Sequence, residues 1–190
     1  MTDNYQEILQ LLGFGYSLNS NGSYRDGYGV KNKTIFAVMN NEDFSHDMFH
    51  YYSGKINKGV NRNWITEEGI AYLWGNAYYT DKNGEMITNK KLVLELKNYL
   101  SKNPNTNLFE IFSKNENIFN HIAPEVSVRS TISGVIANQV EKKKGLKGIL
   151  SLINAGSQNR LESYLKMTNE LLEINKNNFN KKVLKLIEDF

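Results

Sequence analysis

The sequence predicts a mainly helical α+β domain with a small sheet at its amino-terminal end. Most of the chain after residue 60 has apolar residues at the three- and four-residue spacing of amphipathic helices. Residues 34–39 form a short run of β-branched and aromatic side chains, which is typical of a strand. With 190 residues the chain fits one domain. We expect a small sheet and a first helix in residues 1–54, a helix pair in 55–102 and a helical region in 103–190.

The amino-terminal elements follow from local patterns. Residues 4–12 have the spacing of a short helix that ends at Gly13, and residues 13–18 could form an edge strand. The strand at 34–39 leads into a helix that Asn41 or Asp43 could cap and that ends near Gly54.

The first helix of the pair expected in residues 55–102 begins near Thr66, a residue type that favours the N-cap position. Glu67 and Glu68 then lie in the first turn, where the helix dipole favours acidic side chains. Further helices are predicted over residues 91–100, 107–113, 126–143, 146–153, 161–174 and 179–190.

Composition excludes several classes of site and partner. The chain has no cysteine, so disulfides and cysteine metal sites are excluded, and any metal must be held by histidine and carboxylate. The net charge of +3 is too small to indicate a nucleic-acid partner, and no nucleic-acid motif is recognised. The ten Lys or Arg and five Asp or Glu from Lys142 onward are typical of a solvated helical surface.

The sequence also indicates where the protein is expected to reside. No apolar run approaches the roughly 20 residues that a membrane helix needs, so we expect no membrane span. The first residues are acidic and lack an apolar core, so they do not form a secretory signal. The chain is expected to be cytoplasmic if Met1 is its natural start.

Two of the three histidines, His46 and His50, are four residues apart. On a helix this spacing places both imidazoles on one face, where they can bind one zinc ion. Glu67 and Glu68 follow at a distance that lets an adjacent helix supply a carboxylate as third ligand. Two histidines and one carboxylate leave a fourth zinc position open for water, which is the arrangement of catalytic zinc sites.

These residues resemble the gluzincin metallopeptidases. The motif HDxxH at 46–50 is similar to the HExxH of that family, and the segment from Trp64 to Gly69 is similar to its Trp-x-x-Glu-Gly ligand helix. The resemblance covers about residues 34–75, with a weaker similarity at 126–156 to the helical tail of such peptidases. It implies that His46, His50 and Glu68 hold Zn2+, with Glu68 favoured over Glu67 because it precedes the glycine. It further implies a peptide or protein substrate.

The resemblance assigns the remaining roles and marks two departures. Asp47 occupies the position of the catalytic base, but the family has glutamate there, which is longer by about 1.5 Å. Only about 45 residues precede the motif, fewer than the sheet of a gluzincin needs. The alternative to a peptidase is a catalytically weak or inactive binding module with the same fold. Four residues are candidates either to stabilise the oxyanion of the reaction intermediate or to contact the metal ligands: Glu67, Tyr72, His121 and Arg129.

Overall fold

The computed structural model describes residues 27–29, 34–36, 46, 49–50, 52–54, 62–75, 79–80, 86–123 and 126–190. Six helices have both ends within these ranges: α1 (Trp64–Gly75), α2 (Asn89–Lys102), α3 (Leu108–Lys114), α4 (Val128–Ile153), α5 (Arg160–Leu172) and α6 (Phe179–Glu188). The described residues at 46, 49–50 and 52–54 are also helical, and we call them the histidine segment. Within the described ranges, no helix combines the length and the apolar character needed to cross a membrane.

The described strands form two separate antiparallel ribbons. β1 (Gly27–Gly29) pairs with β2 (Thr34–Phe36), and β3 (Tyr79–Thr80) pairs with β4 (Met86–Ile87). Strands of two or three residues form ribbons that are not stable layers on their own. The predicted α+β class with a small amino-terminal sheet is therefore wrong. The described chain is a helical fold, and its core is built between helices. The helix predicted at 4–12 and the strand predicted at 13–18 lie outside the described residues.

Helix α4 is the centre of the core, because it packs against each of the other five helices. Its buried apolar side chains lie along most of its length: Ile132, Val135, Ile136, Val140, Ile149 and Leu152. Gly145 has φ 61° and ψ −161°, a backbone conformation that is almost restricted to glycine and that divides α4 into two parts. The two helices predicted at 126–143 and 146–153 are confirmed as these two parts.

Helices α2, α3, α5 and α6 confirm the predictions at 91–100, 107–113, 161–174 and 179–190, with ends that differ by at most two residues. Three helices begin with a side chain that accepts a hydrogen bond from the backbone N–H three positions on. These N-caps are Thr88 for α2, Asn107 for α3 and Ser127 for α4. Such caps satisfy donors that the first turn leaves without a helical partner.

Helix α1 begins at Trp64, before the predicted start, and its N-terminus is organised by Asn63. The Oδ1 of Asn63 accepts a hydrogen bond from the backbone N of Ile65 at 3.1 Å. The predicted N-cap role of Thr66 is wrong, because its buried Oγ1 donates to the carbonyl oxygen of Leu152 at 2.9 Å. Asn63 and Thr66 are both good capping types, and the docking of α1 on α4 decides between them.

Helices α1 and α4 approach so closely that only glycine fits at their contact. A Cβ atom on Gly69 would lie 2.5 Å from the Cβ of Ser133 and 2.6 Å from its carbonyl carbon. A Cβ on Gly134 would lie 2.9 Å from the carbonyl oxygen of Gly69. The backbone N of Asn63 also donates to Ile153 O at 2.8 Å. The core therefore fixes the position of α1, and with it the positions of Glu67 and Glu68.

The substitution Gly145→Ala should destabilise the protein by about 1–3 kcal/mol, because alanine is strained at this φ and ψ. Among the described residues, no heavy atom beyond the neighbouring residues and the backbone of the same helix lies within 4 Å of the added Cβ, so clashes do not contribute. Urea unfolding followed by circular dichroism measures the loss. Leu146→Ala, at an adjacent side chain that is 63% exposed, is the control and should change stability by less than about 0.5 kcal/mol. Equal effects of the two substitutions would contradict the backbone explanation.

Candidate metal centre

The histidine segment packs against α1 through aromatic contacts. The ring centroids of His46 and Tyr72 are 4.6 Å apart, those of Phe49 and Trp74 are 5.7 Å apart, and those of His50 and Trp64 are 5.4 Å apart. The partners on α1 are its first residue, Trp64, and two residues of its last turn, Tyr72 and Trp74. This packing brings the two histidines to the part of α1 that carries Glu67 and Glu68.

Three side chains converge at this place: His46, His50 and Glu68. The Nε2 atoms of His46 and His50 are 3.1 Å apart. The Nε2 of His46 lies 3.5 Å from Glu68 Oε2, and the Nε2 of His50 lies 3.4 Å from Glu68 Oε1. The carboxylate therefore spans the two imidazoles, with one oxygen facing each. These three residues could together hold a metal ion.

The separations between the three groups fit the coordination sphere of a small divalent cation. Two ligand atoms with bonds of about 2.0 Å at tetrahedral angles are about 3.3 Å apart. The two imidazole nitrogens, 3.1 Å apart, lie close to this value, and each of them has a different oxygen of Glu68 at 3.4 or 3.5 Å. A hydrogen bond between the imidazoles could also explain the first distance, but it would not draw Glu68 to both nitrogens. The arrangement therefore suits a three-residue metal site.

The candidate centre is buried around the two histidines and more exposed to solvent at Glu68. His46 and His50 are 6% and 3% exposed, whereas the Glu68 side chain is 34% exposed. Burial, together with the nearby His50, lowers the pKa of His46 to about 3. The neutral imidazole that results is the form that binds metals. Burial also raises the pKa of Glu68. The nearby His50 lowers this pKa, and the charge of Glu67 raises it further. A bound cation would stabilise its charged form.

Glu67 lies behind His50, on the side away from the converging nitrogens. Its carboxylate is fully buried and accepts hydrogen bonds from Ser53 Oγ and from Arg62 Nη1, the latter at 2.7 Å. Its Oε2 lies 3.7 Å from Nδ1 of His50. Burial alone would raise the pKa of Glu67, but the contacts with His50 and Ser53 and the charge of Arg62 bring it below its usual range.

The other predicted site residues are placed as follows. Tyr72 is buried beside His46. His121 is exposed, and its Nε2 lies 3.8 Å from Glu95 Oε2. Arg129 donates to the carbonyl oxygens of Phe112 and Ser113 at the end of α3. Asp47, the predicted catalytic base, lies outside the described residues. The structure thus brings Glu67 and Tyr72 to the candidate centre, whereas the described contacts of His121 and Arg129 are with other parts of the fold.

Two residues of the centre, Ser53 and Arg62, were not predicted from the sequence. Ser53 follows His50 by three positions, and that spacing on a helix placed it on the histidine face. Arg62 gave no comparable signal, since it precedes α1 and reaches Glu67 only because of how the chain enters the helix. Helical spacing therefore indicates Ser53, whereas the contact of Arg62 with Glu67 depends on tertiary structure.

Comparison of the chain with known proteins finds no match among protein-family models, curated proteins or solved structures. The case for a metal centre is therefore carried by the positions of His46, His50 and Glu68 on the histidine segment and α1.

Proposed function

We propose that this protein is a zinc-dependent metallopeptidase that uses His46, His50 and Glu68 as metal ligands. The observation that carries the proposal is the convergence of these side chains, with 3.1–3.5 Å between their facing atoms. The motif HDxxH and the ligand helix that follows it supply the link to peptide hydrolysis, through their similarity to gluzincins.

The choice of zinc follows from the types of ligand. Two imidazoles and one carboxylate suit zinc, and three protein ligands leave a coordination position for substrate or water. The greater exposure of Glu68 supports an opening to solvent on that side. Zinc held there would polarise a substrate carbonyl and lower the pKa of a water molecule towards about 7.

The chain's own residues divide the remaining work. His46 and Tyr72 pack together at 4.6 Å, so the tyrosine ring limits the orientations that the imidazole can take. Asp47 follows His46 directly in the sequence, and we assign it the role of the base that accepts a proton from water during attack on the peptide carbonyl. Because aspartate is shorter than the glutamate of gluzincins, we expect slow turnover.

A peptide-cleavage assay tests this proposal. The zinc-loaded protein should cut a mixed peptide library detected by mass spectrometry, and the chelator 1,10-phenanthroline should abolish cleavage, whereas its non-chelating 1,7-isomer should not. Asp47→Asn should reduce the rate by about 100-fold or more, since it removes the base. Asp47→Glu should raise the rate, because a misplacement near 1 Å costs on the order of 100-fold.

The alternative is a peptidase-like binding module, and the same assay separates it from the enzyme. If neither the native protein nor Asp47→Glu cleaves any peptide while both retain zinc, the peptidase proposal is wrong. The departure at Asp47 and the basic region after Lys142 would then favour a module that docks a partner protein.

A further inference from the structure

Glu67 is the most completely buried acidic side chain at the candidate centre, and only one of its two oxygens has a close donor. The Oε1 atom accepts hydrogen bonds from Ser53 and Arg62. The Oε2 atom is buried and has no hydrogen-bond partner among the described residues. Burying a carboxylate oxygen without a donor costs free energy, so a donor close to Oε2 would stabilise the protein.

The group that approaches Oε2 is the imidazole of His50, whose Nδ1 is 3.7 Å away. The other nitrogen of this ring, Nε2, faces His46 and Glu68. A neutral imidazole carries one N–H, on either nitrogen, and an ionised carboxylate can only accept a hydrogen bond. Through its contact at Nδ1, Glu67 favours the tautomer with the proton on Nδ1, whereas Glu68 Oε1, 3.4 Å from Nε2, favours the opposite tautomer in the metal-free ring. With the proton on Nδ1, the Nε2 lone pair is directed at the candidate metal position.

We propose that Glu67 is the positioning residue of the metal centre: it holds His50 in the Nδ1–H tautomer, and Ser53 and Arg62 hold Glu67 in place. This inference rests on the proposed metal site but not on peptide cleavage. Carboxylates that accept from the second nitrogen of a metal-binding histidine fix both its tautomer and its orientation. The distance of 3.7 Å exceeds a hydrogen bond by about 0.7 Å. It should shorten when Nε2 binds a cation, because the cation makes the Nδ1–H a stronger donor.

The arrangement of the supporting residues makes this role specific. Ser53 belongs to the histidine segment, Arg62 precedes α1, and Glu67 is in α1, so the carboxylate joins three parts of the chain beside His50. The guanidinium of Arg62 also lies 5.6 Å from the ring centroid of Trp64, which keeps it close to Glu67. Arg62 supplies the positive charge that lets a carboxylate remain ionised when fully buried.

The first test reads the tautomer of His50 in the metal-free native protein. Long-range 1H–15N spectra distinguish Nδ1–H from Nε2–H imidazoles, and the three histidines give few signals to assign. The proposal expects His50 as Nδ1–H. Finding His50 as Nε2–H would overturn it. Because this measurement needs no substitution at Glu67, it does not depend on the folding of a variant.

The second test measures zinc affinity by competition with a chromophoric chelator in Glu67→Gln. Glutamine keeps the shape of glutamate, but its amide can donate as well as accept, so it no longer selects one tautomer. We expect affinity to fall by about 10–100-fold, with His50 shifting towards Nε2–H in the metal-free variant. The matched control is Glu110→Gln at an exposed ion pair with Lys114, which should leave zinc affinity unchanged.

The outcomes separate the two proposals. Unchanged zinc affinity and an unchanged tautomer in folded Glu67→Gln would show that Glu67 is only a packing residue. If the native protein takes up no zinc, the proposed function and the metal-positioning role of Glu67 both fail, and the tautomer of His50 then reports only on its contact with Glu67. If zinc binds but no peptide is cut, only the peptidase role fails.

Discussion

Replacing either histidine, as His46→Ala or His50→Ala, is expected to abolish stoichiometric zinc binding. The native protein should retain close to one zinc per chain after dialysis against metal-free buffer. Each substitution leaves two ligands at the centre, and two ligands do not fill a catalytic zinc site. We expect affinity to fall by more than about 100-fold, because even changes behind the ligands cost about 10–100-fold. Elemental analysis of the purified proteins, followed by titration calorimetry, measures this loss.

His121→Ala is the matched control, since it removes the third histidine of the chain at a site that is not part of the cluster. The His121 side chain is 64% exposed and lies 3.8 Å from Glu95, so this variant should bind zinc as the native protein does. Zinc loss in His121→Ala, or no zinc in the native protein, would contradict the assignment. Elemental analysis also distinguishes zinc from iron, which two histidines and one carboxylate can bind in oxygenases.

The substitution Gly69→Ala is expected to destabilise the fold by about 3 kcal/mol and to lower the melting temperature by about 6–12 °C. Alanine would favour an isolated helix by up to about 1 kcal/mol over glycine. Here that gain is outweighed, because the new Cβ would lie 2.6 Å from the carbonyl carbon of Ser133, which is backbone and has no rotamer to change. Helices α1 and α4 must then separate. Thermal and urea unfolding measure the change.

The control for this prediction is Ser151→Ala, on the partner helix α4. The Ser151 hydroxyl donates to the carbonyl oxygen of Lys147 in the same helix, so its loss should change stability by less than about 0.5 kcal/mol. A second readout is zinc affinity in Gly69→Ala, which should also fall, since Glu68 is next to Gly69 and moves with the helix. Native stability in Gly69→Ala would mean that the two helices can part at little cost.

The sequence was most informative where one local rule decides the structure. In α6, Phe179, Val183 and Ile187 recur every four residues, and all three are fully buried. The break at Gly145 was likewise readable, because glycine is favoured at such a backbone conformation. Spacing predicted that His46 and His50 share one helix face and that a neighbouring helix supplies a carboxylate, whereas the choice of Glu68 came from the resemblance to gluzincins.

Predictions failed, or could not be made, where contacts between distant parts of the chain determine the structure. The strand predicted at 34–39 is described at Thr34–Phe36 as β2, but strand propensity does not supply further strands, and among the described residues β2 pairs only with β1. Thr66 has the residue type of an N-cap, yet its hydroxyl is bonded to Leu152, 86 positions away. The contact of Arg62 with Glu67 depends on the docked path of the chain before α1, which no local pattern encodes.

The side chain of Asn63 has a consequence for the order in which the site is completed during synthesis. Its amide nitrogen donates to the carbonyl oxygens of Gly156 and Arg160, which are 93 and 97 positions further along the chain. Asn63, which precedes α1, is therefore held by the turn between α4 and α5, which the ribosome synthesises much later. A nascent chain that already includes the residues of the candidate centre, from His46 to Glu68, still lacks these contacts of Asn63. We therefore expect the candidate centre to become able to bind a metal ion only after the turn between α4 and α5 has emerged and docked.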